Sequence, residues 1–142
     1  MGAAFKIGSI VVNVRDVPRA MAFWAAALDY APRYEPEPDW VILSPRDGLG
    51  PNLSLNLGDT RPLLHPHIHL DLYAQDQAAE IERLVGLGAH RVEDWRYPEG
   101  ERDFEVLEDP EGNRFCVIDA SPDATDATDA TEATDATDAA YG

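Results

Sequence analysis

Cysteine, basic charge and long apolar runs are all scarce in this chain. Cys116 is the only cysteine among 142 residues. An intramolecular disulfide is therefore impossible, and a zinc site built on thiolates is excluded. Lys and Arg number 11 against 27 Asp and Glu, a formal net charge of −16. A chain this acidic repels phosphate backbones, which argues against nucleic acid as a partner. The most apolar stretch, Met21 to Leu28, is far too short to span a membrane, so no membrane partner is expected. The N-terminus lacks the basic start and apolar core of a signal peptide, and the cytoplasm is the expected compartment.

The C-terminal stretch lacks something else. From about Ser121 it has no large apolar residue before Tyr141, only Asp-Ala-Thr repeated, with Glu132 as one variant. Such a segment cannot bury enough surface to offset the entropy of ordering, so residues 121–142 are expected to form a disordered acidic tail. It holds six acids and no base; removing them from −16 leaves −10 for the body. That charge could attract a cationic ligand, although overall charge speaks to solubility and encounter more than to chemistry.

The body, residues 5–120, states one pattern twice. Ser9-Ile10-Val11-Val12-Asn13-Val14-Arg15-Asp16 leads into a helix-like stretch ending Leu28-Asp29-Tyr30-Ala31. About sixty residues on, His69-Leu70-Asp71-Leu72-Tyr73-Ala74-Gln75-Asp76 leads into a helix-like stretch ending Leu87-Gly88-Ala89-His90. The expected modules are about 5–58 and 66–119, joined through Thr60 to Pro66. Two such units can pair about a pseudo-two-fold axis and leave a cleft where they meet, and clefts are where ligands sit.

Residue patterns predict the elements of each module. Ile7 to Val14 reads as a strand, and Asp16 caps a helix with Pro18 in its first turn. Met21, Trp24 and Leu28 recur at helical spacing. Strands are expected around Arg33 to Glu35, Trp40 to Ser44 and Asn52 to Leu57. Ile68 to Tyr73 is the next strand, and Asp76 caps a helix through about Leu87 with Ile81, Leu84 and Val85 on one face. Gly88 is its stop. Strands follow near Arg91 to Trp95, Asp103 to Leu107 and Arg114 to Ile118. Asp109-Pro110-Glu111-Gly112-Asn113 is turn chemistry joining the last two. The expectation is an α+β fold: two paired βαβββ modules forming an open, cleft-bearing mixed sheet.

Alternation along strands sorts the side chains. Ile10, Val12 and Val14 should oppose Ser9, Val11 and Asn13. Leu53, Leu55 and Leu57 should oppose Ser54 and Asn56. Ile68, Leu70 and Leu72 should oppose His67, His69, Asp71 and Tyr73, and Phe115 and Val117 should oppose Arg114, Cys116 and Ile118. The apolar faces should pack under the helices and the mixed faces should line the ligand site. The candidate ligand-binding residues are thus Ser9, Asn13, Ser54, Asn56, His67, His69, Asp71, Tyr73, Arg114 and Cys116. Trp40 and Trp95 join them on strands flanking the cleft, where an indole can stack on a planar or cationic group. His69 is the candidate general base, since an imidazole titrates near neutrality, with Asp71 or Tyr73 to orient it. His67 and His69, about 6–7 Å apart along a strand, could offer two imidazoles to a transition metal, with Asp71 beyond them. Cys116 would act as a nucleophile only with a lowered pKa, for which Arg114 is the candidate neighbour.

The paired module pattern resembles the vicinal oxygen chelate superfamily, which includes glyoxalase I, extradiol dioxygenases, fosfomycin-resistance enzymes and bleomycin-binding proteins. The carriers are Val14-Arg15-Asp16 with Ala22-Phe23-Trp24 and Leu28. In the second half they are His69-Leu70-Asp71-Leu72, Asp76, Leu87-Gly88-Ala89 and Asp109-Pro110-Glu111-Gly112-Asn113-Arg114-Phe115-Cys116. The His-Leu-Asp-Leu and Asp-Pro-Glu-Gly-Asn segments look most like the glyoxalase-like subgroup. The resemblance covers roughly Ile7 to Asp119. It implies a homodimer. In metal-dependent members a divalent ion is held by one residue from each of four strands, typically His and Glu. Those positions map to Ser9, to Ser54 or Asn56, to His69 and to Cys116, and only His69 matches the usual type.

The resemblance and the residues together imply a glyoxalase-like protein that binds a small organic molecule in the cleft, with no cofactor and no tightly held metal. A metal-dependent lyase, isomerase or dioxygenase using His69 as its metal ligand is the second reading. A bleomycin-resistance-like protein that sequesters a cationic drug is the third.

Overall fold

The computed structural model of the chain describes residues 4–59, 61–93 and 103–122. Trp95 and residues 123–142, most of the expected tail, lie outside them. The chain divides into two compact units, Met1–Arg61 and Pro62–Gly142.

In the first unit β1 (Ser9–Val14) leads to α1 (Val17–Leu28), then β2 (Tyr30–Pro32), β3 (Trp40–Pro45) and β4 (Asn52–Leu57). The sheet order is β1-β4-β3-β2, with β1 parallel to β4 and the other pairs antiparallel. The second unit repeats this with β5 (Asp71–Ala74), α2 (Gln77–Leu87), β6 (His90–Arg91), β7 (Phe104–Glu108) and β8 (Arg114–Asp119). Its order is β5-β8-β7-β6, again with one parallel pair, β5 with β8. Each unit is thus an open, mixed four-stranded sheet with one helix, the expected βαβββ module.

The helices begin where the sequence provides caps. The Asp16 carboxylate accepts the Arg19 N–H at 3.0 Å, and Asp76 accepts that of Ala79 at 3.1 Å. Each satisfies a donor that the first helical turn leaves without a partner. Helix α1 buries Val17, Ala20, Phe23, Trp24 and Ala27, one stripe at helical spacing, and packs across β2, β3 and β4. Phe23 and Trp24 meet edge to face at 5.0 Å. Helix α2 has a narrower stripe: Ile81 and Leu84 are buried, while Val85, expected beside them, is exposed. Under the helices lie Val41, Leu43, Leu53 and Leu55 in the first unit and Leu107, Phe115 and Val117 in the second. A side chain as large as Phe115 contributes roughly 2–3 kcal/mol on leaving water.

Three strands differ from expectation. The strand expected at Arg33 to Glu35 forms earlier, at Tyr30–Pro32, because its ladder is set by Tyr30 opposite Pro45 and Pro32 opposite Leu43. Pro32 is tolerated because β2 is an edge strand, where a missing N–H breaks no central ladder. The strand expected at Ile68 to Tyr73 starts at Asp71. Its parallel partner begins at Arg114, with Asp71 opposite Cys116, so only Ile68 and the residues before it would face the preceding turn instead of a strand. Ile68, expected to be packed, is exposed. The strand expected near Arg91 to Trp95 is only His90–Arg91 among the described residues, prolonged by one bond from Val92 N–H to the Val106 carbonyl. Leu57, at the end of β4, is exposed in place of packed.

The turn between β7 and β8 is the most constrained loop of the second unit. Asp109 is buried, and its Oδ1 accepts the N–H groups of Glu111 at 2.9 Å and Asn113 at 2.8 Å. Gly112 has φ +91, a conformation open to glycine, and a Cβ there would sit 3.3 Å from Pro62. The turn delivers β8 in register with β7, Glu108 opposite Arg114. Asp109→Ala would leave two buried amide donors without their acceptor, at about 1–3 kcal/mol each where no water replaces it. Urea denaturation should show a loss of about 2–4 kcal/mol with an unchanged m-value.

Candidate functional site

The two sheets present rows of side chains on the face away from their helices. In the first unit the cross-strand register aligns Ser9 with Asn52, Val11 with Ser54 and Ile42, and Asn13 with Asn56 and Trp40. This face is polar. Asn13 and Asn56 are exposed, Trp40 is at the border of exposure, and Ser54 is buried. The Ser9 and Ser54 hydroxyls are hydrogen-bonded at 2.6 Å across β1 and β4. Alternation thus brings together four of the first-unit candidates with Trp40 on one surface.

In the second unit the matching rows are Asp71 with Cys116 and Val106, and Tyr73 with Ile118 and Phe104. Here the face is mostly apolar and buried. Phe104, Val106, Cys116 and Ile118 form one cluster with Val92 against it. Cys116 and Ile118, expected to line an open mixed face, are therefore packed on it. Phe115 and Val117, pointing the other way, are buried too, so β8 has no exposed face. Tyr73 is exposed.

His69 sits at the edge of this cluster. Its Nε2 is 2.9 Å from Asp71 Oδ1, with the side chains 17% and 29% exposed, so the pair is shielded yet reachable. The nitrogen, oxygen and sulfur ligand atoms of His69, Asp71 and Cys116 all lie within 4.8 Å of one another. On an ideal strand, residues two apart point in parallel and do not converge. They converge here because His69 precedes β5 and is not held by its ladder, so its ring can turn back onto Asp71. For the same reason the strand face expected to align His67 with His69 does not form, and His67 is exposed.

Arg114 lies on the same face of β8 as Cys116 and is buried. Its Nε is 3.2 Å from Glu108 Oε2, with the guanidinium side chain 5% exposed and the carboxylate 33%. The signal was present in the sequence: opposite charges flanking a five-residue turn become direct cross-strand neighbours. Arg114 therefore carries its charge into an ion pair with Glu108.

The model of the glyoxalase-like domain family matches residues 9–118. The chain belongs to that family. It is a glyoxalase-like domain protein of the vicinal oxygen chelate superfamily, and its solved structural neighbours share the fold at low sequence identity. A glyoxalase-related enzyme from Fulvimarina pelagi is 17% identical, with a TM-score of 0.60, covering 80% of this chain and 86% of its own. A possible glyoxalase from Bacillus cereus is 18% identical, with a TM-score of 0.60, covering 81% and 99%. The bleomycin-binding protein of Streptomyces verticillus, complexed with copper(II)-bleomycin, is 16% identical, with a TM-score of 0.55, covering 84% and 100%. None of the curated proteins matches this chain in sequence.

The hard divalent ion of metal-dependent superfamily members does not suit this glyoxalase-like domain. Ser9 at one of the four positions, and Ser54, one of the two residues that map to another, are neutral hydroxyls bonded to each other. Hydroxyls of that kind are weak ligands for an oxygen-loving ion, and Cys116 at another position prefers soft metals. Cys116 is completely buried. A thiol reagent such as Ellman's should therefore react with it at least about a hundredfold more slowly in native buffer than in urea, because access requires opening of the cluster. Equal rates in the two solvents would contradict the packing.

Proposed function

We propose that this glyoxalase-like domain protein binds a small organic molecule and moves one proton to or from it at His69. The observation that carries the reading is the 2.9 Å contact between His69 Nε2 and Asp71 Oδ1. A carboxylate accepts a hydrogen bond, so Asp71 favours the tautomer with its proton on Nε2. Nδ1 is then the basic nitrogen. When Nδ1 takes a proton, the ring keeps its Nε2–H bond to the Asp71 carboxylate and so its orientation. Asp71 acts through the ring and is a positioning residue. The bound molecule would be a carbonyl compound with an acidified C–H or O–H, the simplest substrate from which an imidazole removes a proton.

A second reading rests on charge. The net −10 of the body favours a cationic ligand, and a protein that sequesters one without chemistry would use the polar row of Asn13, Asn56 and Trp40 on the first unit.

Deuterium uptake distinguishes the two. In chelator-treated buffer the protein should accelerate exchange of the acidic C–H of small carbonyl compounds into D2O, followed by NMR. His69→Ala should abolish the acceleration. Asp71→Asn should lower it about 10- to 100-fold, less than the roughly 100- to 10,000-fold that a positioned acid or base itself contributes. Thermal stabilisation by a cationic glycopeptide, with no accelerated exchange of any carbonyl probe, would favour sequestration and overturn the proton-transfer reading.

A further inference from the structure

We infer that the row of Asn13, Asn56 and Trp40 is a site for a small, uncharged planar heterocycle that carries a hydrogen-bond donor beside an acceptor, of the free nucleobase or lactam class. The site lies wholly within the first unit and does not depend on the proton transfer proposed at His69.

The register places the three side chains next to one another. Asn13 on β1 is opposite Asn56 on β4, and Asn56 is opposite Trp40 on β3. Neighbouring strands lie about 4.8 Å apart, so the row is about 10 Å long, room for one or two fused rings. The Leu57 N–H bonds the Asp39 carbonyl at 2.8 Å. The next pair inward, Trp40 with Asn56, is therefore a non-hydrogen-bonded pair, the kind whose side chains approach most closely. The indole stands directly beside an amide.

The two groups divide the recognition of a flat ring. A primary amide presents a carbonyl acceptor and an N–H donor on one edge. That edge matches the N–H and C=O of a lactam, and it is the edge by which Asn reads adenine through two bonds. Asn13 and Asn56 are exposed, and neither amide is hydrogen-bonded to another described residue. The indole supplies a π-face on which the ring stacks.

Space is kept beside Asn13. Gly58 lies two residues beyond Asn56, and a Cβ there would sit 3.2 Å from Asn13 Cβ and 3.3 Å from its Cγ. The φ of Gly58 is not positive, unlike that of Gly48, Gly50, Gly88 and Gly112, so its backbone does not demand glycine. The missing side chain clears the Asn13 amide.

Charge selects the class of ligand. No acidic or basic residue stands on this face of β1, β3 or β4, although the chain holds 27 acids. A cation on the row would meet the indole but no carboxylate. A phosphate would be repelled by the net −10 of the body. A neutral ring meets neither cost.

The test is titration of the isotope-labelled full chain with uracil and with adenine, followed by the side-chain amide signals in NMR and by tryptophan emission. Both bases should shift the Asn13 and Asn56 amide signals, each assigned by its loss in the Ala variant, and quench the emission that Trp40→Ala removes. Asn13→Ala and Asn56→Ala, at exposed positions that should leave the fold intact by circular dichroism, should each weaken uracil binding about two- to tenfold. Trp40→Ala should weaken it about tenfold or more. Gly58→Ala should weaken it as well, because the added methyl crowds the Asn13 amide. Dimethyluracil, whose ring N–H groups are blocked, and uridine monophosphate should both bind more weakly than uracil. Bases that leave both amide signals unmoved would overturn the proposal. So would N-methylpyridinium or uridine monophosphate binding more tightly than uracil, or an affinity for uracil unchanged in both Asn13→Ala and Asn56→Ala.

Discussion

Parallel pairing of β5 with β8, in the register that sets Asp71 opposite Cys116, is the constraint on which the candidate site depends. It fixes a carboxylate beside a thiol at the start of a short strand. The ladder ends there, although β8 begins two residues earlier, at Arg114. His69 is released from strand alternation by that ending, and its ring turns to Asp71. The turn held by Asp109 sets where β8 begins.

The first unit shows what the same backbone does with other side chains. Its parallel pair, β1 with β4, places Val11 opposite Ser54 as β5 with β8 places Asp71 opposite Cys116. Ser9, the counterpart of His69, reaches Ser54 through a hydroxyl–hydroxyl bond. One module thus carries a neutral, polar surface, and the other an acid–base pair over a buried thiol. Duplication supplied two equivalent frames that carry different residue types at equivalent points.

Much of this was legible before any coordinates. The helices were marked by Asp16 and Asp76 as caps and by a periodic apolar stripe, and both form where expected. The polar face of the first sheet follows from simple alternation. Less legible were the ends of strands. Pro32 looked like a breaker, yet an edge strand tolerates it. His67 and Ile68 looked like strand residues, yet a strand needs a partner, and the length of the partner is not written in the segment itself. The His69–Asp71 contact was hidden for the same reason: alternation forbids convergence inside a ladder, and only the ladder's early end permits it. The Arg114–Glu108 pair is the opposite case, since opposite charges flank a recognisable five-residue turn.

The central claim is that Asp71 holds the His69 ring through Nε2 and leaves Nδ1 as the basic nitrogen. Long-range proton–nitrogen NMR of the imidazole rings, in chelator and above the titration range of histidine, reads this directly once the signals are assigned by loss in His69→Ala. The account predicts a proton on Nε2 and a pyridine-type Nδ1, with this preference weakened in Asp71→Asn. A proton resident on Nδ1, or a tautomer balance indifferent to Asp71, would contradict it.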